Sequence, residues 1–292
     1  MPIMEMLLKL TLVIFMVGNM LDMGLRLRLD AAIRGLRDTR FVILTLLWGF
    51  VLLPAIALAI TKLIPMSSPH ATGLVLLAMT PCAPFLPMMA DRAHGDMGYT
   101  AALLIFTCVV TVAYMPFAVP LFTKGLTATA WSIAKPLVTL VFIPFIIGIA
   151  LQQFSGPLAV KVHPLVKRGT GIDTLGVLVL CGLIYGKDIL QLAGSYAIGA
   201  EILFFAIATM APYLLGFGLP RGQKVVISLG MATRNLGAAF APLIAVRGSA
   251  EGATVMVALG VLMQTMSSFG AASYYRRIAQ TSSAPAGAGK SA

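Results

Sequence analysis

Residues 222–246 read GQKVVISLGMATRNLGAAFAPLIAV, and the prediction of the fold starts from them. The stretch is long and apolar enough to cross a bilayer, yet Arg234 and Asn235 stand near its middle. A charged side chain at bilayer depth costs roughly 2.5–3.5 kcal/mol on insertion scales, so it usually faces a cavity or a partner. Two glycines and Pro242 interrupt the stretch, which predicts a broken helix beside a cavity. We therefore predict a transport site here. The alternative is an arginine that bridges helices by bonding to backbone carbonyls.

The composition of the whole chain indicates a membrane protein. The chain is 59% hydrophobic and 11% charged, whereas soluble domains are about 45–50% and 25%. Apolar stretches of about 18 or more residues recur along the chain, without the alternating pattern of a membrane β-barrel. We therefore predict an all-α polytopic protein embedded in a lipid bilayer. The net charge of +11 comes mainly from Lys and Arg between apolar segments, so nucleic acid is not an expected partner.

The apolar stretches predict nine membrane-spanning segments. They cover residues 6–24, 41–64, 71–90, 97–123, 131–153, 171–186, 194–219, 222–246 and 251–275. No small-residue cleavage pattern follows the first segment, so we interpret it as a retained helix. Residues 1–280 are predicted to form one transporter unit. Residues 281–292, TSSAPAGAGKSA, are predicted to be a disordered tail because they are small and polar.

The distribution of positive charge predicts the orientation. Fourteen Lys and Arg residues fall in the loops and tail on the side of the C-terminus, against five in the loops on the other side. Cytoplasmic loops carry the excess of positive charge, so the N-terminus is expected outside and the C-terminus in the cytoplasm. The expected location is the plasma membrane.

A second interrupted segment lies in the first half of the chain, at residues 73–90, GLVLLAMTPCAPFLPMMA. Pro81, Pro84 and Pro87 stand within seven positions of each other. Proline removes a backbone donor and costs about 3 kcal/mol or more inside a helix, so a second break is predicted. Five crossings separate the two broken segments, which therefore run in opposite directions. Such a pair indicates an inverted-repeat transporter with its site near the midplane of the membrane.

Three stretches resemble the bile acid:sodium symporter family. The first conserved region of that family resembles the stretch MVGNMLDMGLRLRLDAAIRGLRD. Its two crossover helices resemble the stretches GLVLLAMTPCAPFLPMMADRAHGDMGYTAAL and ISLGMATRNLGAAFAPL. The resemblance implies two inverted repeats, at about 1–125 and 130–278. It also implies a panel domain and a core domain, with two crossed discontinuous helices in the core. Alternating access would come from movement of the core against the panel.

The resemblance also implies sodium ligands, and most of them differ in this chain. Sodium-coupled members carry Ser-Asn in the first crossover helix, where this chain has Leu86 and Pro87. They carry Glu-x-Gly-x-Gln-Asn in the second, where Gly230 replaces Glu and Arg234 replaces Gln. Only Asn235 is retained. Hard cations need several oxygen ligands, so the usual sodium sites are predicted to be lost.

We hypothesise that the guanidinium of Arg234 takes over the charge that bound sodium supplies in relatives. It would compensate a buried dipole end or attract an anionic substrate. Asp22 and Asp91 are candidates to pair with it or to carry a proton, and Glu201 is a candidate for a pair across helices. The predicted substrate- or ion-binding residues are Arg234, Asn235, Thr233, Gly230, Pro87, Pro84, Cys82, Thr107 and Gln264.

The predicted function is secondary active transport of a small organic anion. No catalytic residue, metal site or cofactor is expected, because the chain has no HExxH motif, GxGD-type aspartate pair or GxxxxGK[ST] loop. Coupling to sodium is doubtful, and proton coupling and the oligomeric state are left open. One alternative is an arsenite-type metalloid efflux carrier, because arsenite carriers of the related superfamily use a crossover-helix cysteine and Cys82 stands at such a position. Another alternative is a membrane sensor without transport activity.

Overall fold

The structure, a computed structural model, describes residues 2–123, 129–192, 195–245 and 251–283. All regular secondary structure in these ranges is helical, which confirms the predicted all-α class. The helices are α1 (Pro2–Arg26), α2 (Leu29–Arg37), α3 (Thr39–Leu46), α4 (Leu53–Leu63), α5 (Ser68–Ala78), α6 (Leu86–Arg92), α7 (Met97–Phe122), α8 (Ala130–Pro136), α9 (Ile143–Phe154), α10 (Gly156–Leu192), α11 (Ala197–Leu214), α12 (Arg221–Ala232), α13 (Leu236–Ala245) and α14 (Glu251–Ser283).

Seven helical stretches of the described residues are long and apolar enough to cross a membrane. They are Met6–Arg26, Thr39–Leu63, Met97–Phe122, Ala130–Phe154, Gly156–Lys187, Ala197–Leu214 and Glu251–Thr281. Two of them contain a π-helical turn, at Leu47–Leu52 between α3 and α4 and at Leu137–Phe142 between α8 and α9. Each turn lies just upstream of a proline, Pro54 or Pro144. Proline cannot donate to the regular helical ladder, and the wider π turn accommodates it without ending the helix.

The third and eighth predicted segments are each broken into two short helices, as their sequences predict. The first break separates α5 from α6 and contains Pro81 and Pro84. Pro87 instead lies in the first turn of α6, where a missing backbone N–H is tolerated. The second break separates α12 from α13 at residues 233–235. These short helices do not count among the seven spans, so a total of nine crossings stays a prediction.

The predicted sixth segment, 171–186, is wrong at its N-terminal boundary. The helix α10 begins at Gly156 and includes Lys161, Lys167 and Arg168, which lie between the predicted segments 131–153 and 171–186. Its 37 residues correspond to about 55 Å of helix, against a hydrocarbon thickness of about 30 Å. Hydropathy identifies only the apolar part of a helix that lies in the hydrocarbon of the bilayer, so it does not predict the charged first turns of such a long helix. At the other end of the chain, α14 continues to Ser283, and the rest of the predicted tail, 284–292, lies outside the described residues.

The helices pack as two groups around the breaks. One group contains α1, α9 and α10, and the other contains α5, α11, α12 and α14. The helix α13, which follows the second break, contacts both groups through α1 and α14. The division into a panel and a core domain, and into two repeats at about 125–130, stays a prediction.

Two glycines bring α1 and α9 into backbone contact. A Cβ atom on Gly24 would lie 2.4 Å from the carbonyl oxygen of Phe145, and one on Gly148 would lie 2.6 Å from that of Leu21. In a membrane, helices associate largely through such close van der Waals packing, which small residues permit. The contact therefore fixes how the first group of helices is assembled.

We predict that Gly148→Ala lowers the thermal midpoint of unfolding of the purified protein in detergent. The added methyl group meets backbone and not a flexible side chain, and overpacking of this kind typically costs about 1–3 kcal/mol. Gly176→Ala in α10 is the matched control, because nothing lies within 4 Å of the Cβ position at Gly176. The control is expected to keep or slightly raise the midpoint, since alanine favours helix. Equal losses in both variants would contradict the packing described here.

Candidate functional site

The two helix breaks cross each other and complete each other's backbone hydrogen bonds. The amide of Cys82 donates to the carbonyls of Gly230 (3.0 Å) and Thr233 (2.9 Å). The amide of Asn235 donates to the carbonyl of Thr80 over 2.8 Å. A broken helix in a bilayer leaves backbone groups that water cannot satisfy, so they need partners within the protein. Each break supplies the partners of the other.

The backbone at Cys82 adopts an uncommon conformation that makes this crossing possible. Its φ angle is +74°, in the left-handed region that favours glycine. Both hydrogen bonds of its amide go to the second break, and the following amide, of Ala83, donates to the hydroxyl of Thr233 over 3.1 Å. These three bonds hold Cys82 in place as a structural part of the crossing.

Arg234 is the largest fully buried side chain of the described residues. Its Nη2 donates to the carbonyl of Met231 (2.7 Å) and its Nη1 to that of Ala78 (3.4 Å). These carbonyls belong to the last turns of α12 and α5, where the helix dipole is negative and favours a cation. The guanidinium carbon lies 5.0 Å from the ring centroid of Phe204, and the backbone N–H of Arg234 donates to Oε1 of Gln264 over 2.6 Å. The cation is therefore held by helix ends and an aromatic face.

The described residues contain no ion pair between Arg234 and a carboxylate. Asp22, a candidate partner in the sequence, instead pairs with Arg26 one turn later and lies 3.1 Å from Nε2 of His163. The spacing of four residues within one helix gives Asp22 a nearer cation than Arg234. Asp91 is exposed on α6 and does not pair with Arg234 either. The guanidinium instead bonds to backbone carbonyls of two helices, as the alternative interpretation of Arg234, an arginine that bridges helices, predicts.

A cavity of about 220 Å³ lies beside the crossing, between α1 and α10 on one side and the breaks and α14 on the other. Its polar lining comes from Asn19, Thr174, Arg234, Asn235, Gln264 and Thr265. Arg234 is the only charged residue among the described residues that line the cavity, and its side chain is 0% exposed. Its guanidinium contacts Met231, Ala78 and Phe204, which do not line the cavity, so the positive charge lies behind the wall.

The structure places four of the nine predicted site residues at the cavity. Arg234, Asn235, Pro84 and Gln264 line it. Gly230, Thr233, Cys82, Thr107 and Pro87 do not line it. Thr233 and Cys82 serve the crossing, and the hydroxyl of Thr107 bonds back to its own helix, at the carbonyl of Leu103 over 2.7 Å.

Sequence reasoning missed three polar residues of the cavity, Asn19, Thr174 and Thr265. Each lies within an unbroken helix, α1, α10 or α14, away from the two predicted breaks. Asn19 falls within the stretch that resembles the family's first conserved region, which was the one available signal. The sequence held no comparable signal for Thr174 or Thr265.

The positions that match family sodium ligands are filled differently here. A Cβ atom on Gly230 would lie 2.3 Å from Cδ2 of Leu103, so a leucine side chain occupies the space beside that residue. Asn235 uses its Oδ1 to accept from the amide of Ala238 (3.1 Å), and its Nδ2 faces the sulfur of Met20 (3.6 Å). None of the described cavity-lining residues is a carboxylate. Among the described residues there is also no group of three or more His, Cys, Asp or Glu that could hold a metal ion.

A family model and three similar proteins point to the same family. The model of the Sodium Bile acid symporter family matches residues 12–193, more than half of the chain, and this match ends before the second break. The chain is 24% identical over 230 residues to the probable sodium/metabolite cotransporter BASS1, chloroplastic, of Arabidopsis thaliana, covering 76% of this chain and 57% of that protein. It is 24% identical over 251 residues to the uncharacterized sodium-dependent transporter YocS of Bacillus subtilis (strain 168), covering 80% and 75%.

A third relative is the probable sodium/metabolite cotransporter BASS2, chloroplastic, of Oryza sativa subsp. japonica. It is 24% identical over 257 residues, which are 82% of this chain and 59% of that protein. The chain thus spans less than two thirds of the length of both plant relatives.

We predict that Gln264→Leu destabilises the crossing. It removes the acceptor of the buried backbone N–H of Arg234, and an unsatisfied buried donor costs about 1–3 kcal/mol. The thermal midpoint of the purified protein should fall. Thr265→Val is the control, because that hydroxyl bonds only to the carbonyl of Val261 in its own helix. A Gln264→Leu protein as stable as the control would mean that the N–H of Arg234 has another acceptor.

Proposed function

The chain belongs to the sodium bile acid symporter family, and from that premise we propose that it is a secondary transporter of a small organic anion that works without sodium. The observation that supports the proposal is the cation of Arg234, which is buried next to the cavity. A guanidinium has five N–H groups, two of its nitrogens donate hydrogen bonds, and its Nε has no partner among the described residues. Donors therefore remain for an anionic substrate once movement of the helices exposes the guanidinium to the cavity.

The charge at Arg234 is only partly compensated by its surroundings. Burying an unpaired ion costs several kcal/mol in real proteins. A cation at a helix C-terminus recovers about 0.3–1 kcal/mol, and up to about 2 kcal/mol where it is partly buried. Two helix ends and an aromatic ring thus stabilise the guanidinium without neutralising it. A carboxylate in the cavity would supply the missing negative charge and could form a bidentate pair.

The same cation disfavours sodium. The relatives are named as sodium-dependent or sodium cotransporters, but Leu86, Pro87 and Gly230 offer no side-chain oxygen for such an ion. A sodium ion about 5 Å from the guanidinium would also be repelled by about 3 kcal/mol at an effective dielectric constant of ~20. We infer that Arg234 supplies permanently the positive charge that sodium brings to relatives.

The size of the cavity favours a substrate of few atoms. Pockets for drug-sized ligands are about 300–1,000 Å³, and the cavity here is about 220 Å³. A short carboxylate fits this volume better than a sterol. Since the cavity lies between the two groups of helices, relative movement of the groups would open it to alternate sides. We propose a plasma-membrane location, and the distribution of positive charge favours an N-terminus on the outside.

The alternative of a metalloid carrier has less support. Such a carrier would use a thiol in the first crossover as its ligand. Cys82 is buried, its amide belongs to the crossing, and its side chain does not line the cavity. Arg234, by contrast, adds a positive charge that serves an anion.

We predict that the protein reconstituted in liposomes takes up radiolabelled pyruvate equally well in sodium and in potassium buffer. Arg234→Gln should abolish this uptake, because it removes the one cation among the described residues that line the cavity. It should not create sodium dependence, since the other oxygen ligands are still missing. Arg277→Gln, at an exposed position of α14, is the matched loss of an arginine and should leave uptake unchanged. Sodium-stimulated uptake by the unmodified protein would contradict the proposal.

A further inference from the structure

Glu201, on α11, is a buried carboxyl group without a partner. It is 0% exposed, and neither Oε1 nor Oε2 has a hydrogen-bond partner among the described residues. None of the ion pairs in that part of the chain includes it. An ionised carboxylate with neither a partner nor water is strongly disfavoured in a medium of low dielectric constant. The surroundings of Glu201 in this structure therefore suit the neutral acid.

Glu201 and Arg234 lie about one helical turn apart along two of the helices that surround them. On α11, Phe204 follows Glu201 by three residues, and its ring lies beneath the guanidinium of Arg234. On α14, a Cβ atom on Gly260 would lie 3.3 Å from Oε1 of Glu201. Gln264, one turn further along α14, accepts from the backbone of Arg234. The side chains of Glu201 and Arg234 thus lie near each other in one packed region.

The end of α5 connects the same two side chains. Leu77 fills the space beside Gly260, with its methyl groups 2.9 Å from the Cβ position there. The next residue, Ala78, accepts a hydrogen bond from the guanidinium of Arg234. Glu201 and Arg234 do not form an ion pair in this structure, and the Nε of Arg234 has no hydrogen-bond partner in the part of the chain that the structure describes. Both side chains therefore retain unused hydrogen-bonding capacity.

Other titratable groups on the helices packed against α11 lie further along those helices. They are Lys62 on α4, His70 on α5, Arg221 and Lys224 on α12, and Glu251, Tyr274, Tyr275, Arg276 and Arg277 on α14. With a rise of about 1.5 Å per residue, His70 lies about 10 Å from Leu77 along α5, and Glu251 lies about 13 Å from Gly260 along α14. Arg221 bonds to the carbonyl of Tyr275, about 22 Å along α14 from Gly260. Lys62 is in the last turn of α4 and forms no ion pair with Glu201.

We propose that Glu201 is a proton-binding site and that its proton crosses the membrane together with the substrate anion. This inference rests on the proposed function of Arg234 as an anion site. When the cavity holds no anion, ionised Glu201 balances the charge of Arg234. When an anion binds at Arg234, Glu201 takes up a proton from water, RCOO⁻ + H⁺ → RCOOH. The buried site then has no net charge in either state, which avoids the cost of carrying an uncompensated charge through the bilayer.

The arrangement in this structure is the one expected for protonated Glu201, the state that accompanies a bound anion. Its oxygens face Gly260 and not the guanidinium, and no hydrogen bond requires the carboxyl to be ionised. In the ionised state, a change of side-chain conformation would bring the carboxylate toward the Nε of Arg234. Two arrangements of one side chain thus link the proton to the anion.

Proton binding can be tested without a substrate, by infrared difference spectroscopy of the protein in liposomes between pH 9 and pH 5. On acidification, the unmodified protein should gain the carbonyl band of a buried carboxylic acid. Glu201→Gln should lack this component, and the exposed control Glu251→Gln should keep it. Arg234→Gln should hold the band to higher pH, because loss of a nearby cation disfavours the carboxylate. Identical difference spectra for the unmodified protein and Glu201→Gln would overturn the proposal.

Glu201→Asp guards against a variant that fails to fold. It retains a carboxyl group, so it should give the band at a shifted frequency, and a folded Glu201→Asp without any such band would also overturn the proposal.

Proton coupling is tested by pyruvate uptake into liposomes with an inward proton gradient and a clamped membrane potential. The unmodified protein should accumulate pyruvate, whereas Glu201→Gln should exchange internal for external pyruvate without accumulating it. Equal accumulation by both proteins would overturn the coupling. Absence of pyruvate uptake together with the infrared band of Glu201 would count against the proposed function and leave the proton site supported.

Discussion

The structure depends on the backbone crossing between the two helix breaks. In a bilayer, the free N–H and C=O groups of a broken helix have no water to bind, so a break survives only where protein supplies partners. Here the amides of Cys82 and Asn235 find carbonyls across the crossing. The crossing also points the C-terminal ends of α5 and α12 toward one place. The electrostatics of the site follow from this geometry, because two negative helix ends attract a cation.

That cation is part of the chain. The guanidinium of Arg234 bonds to the last turns of both helices and lies over Phe204. A bound ion leaves when the transport cycle is complete, but an arginine cannot. If the buried site is to carry no net charge during the transport cycle, a negative charge must balance Arg234 in each state of the cycle. A substrate anion and the carboxyl group of Glu201 are the two groups that we propose for this task.

The breaks were predictable because their causes are local. Proline and glycine disrupt helices wherever they stand, and an arginine within an apolar segment needs a polar environment. The extent of α10 was not predictable from hydropathy, because its charged first turns do not resemble a membrane span although they are helical. The backbone carbonyls that bind Arg234 were predicted only as an alternative, because every residue has a carbonyl group and the sequence does not show which ones are free. The contact between Leu103 and Gly230, and the approach of Asn19 and Thr174 to the cavity, depend on how distant helices pack.

Whether the guanidinium stands in for sodium is tested most directly by equilibrium binding of radioactive sodium to the purified protein. We predict no saturable binding, because Gly230 and Leu86 offer no side-chain oxygen and Arg234 repels a second cation. Saturable binding that unlabelled sodium displaces would show that other oxygen atoms rebuild an ion site. It would contradict the assignment of the charge to Arg234.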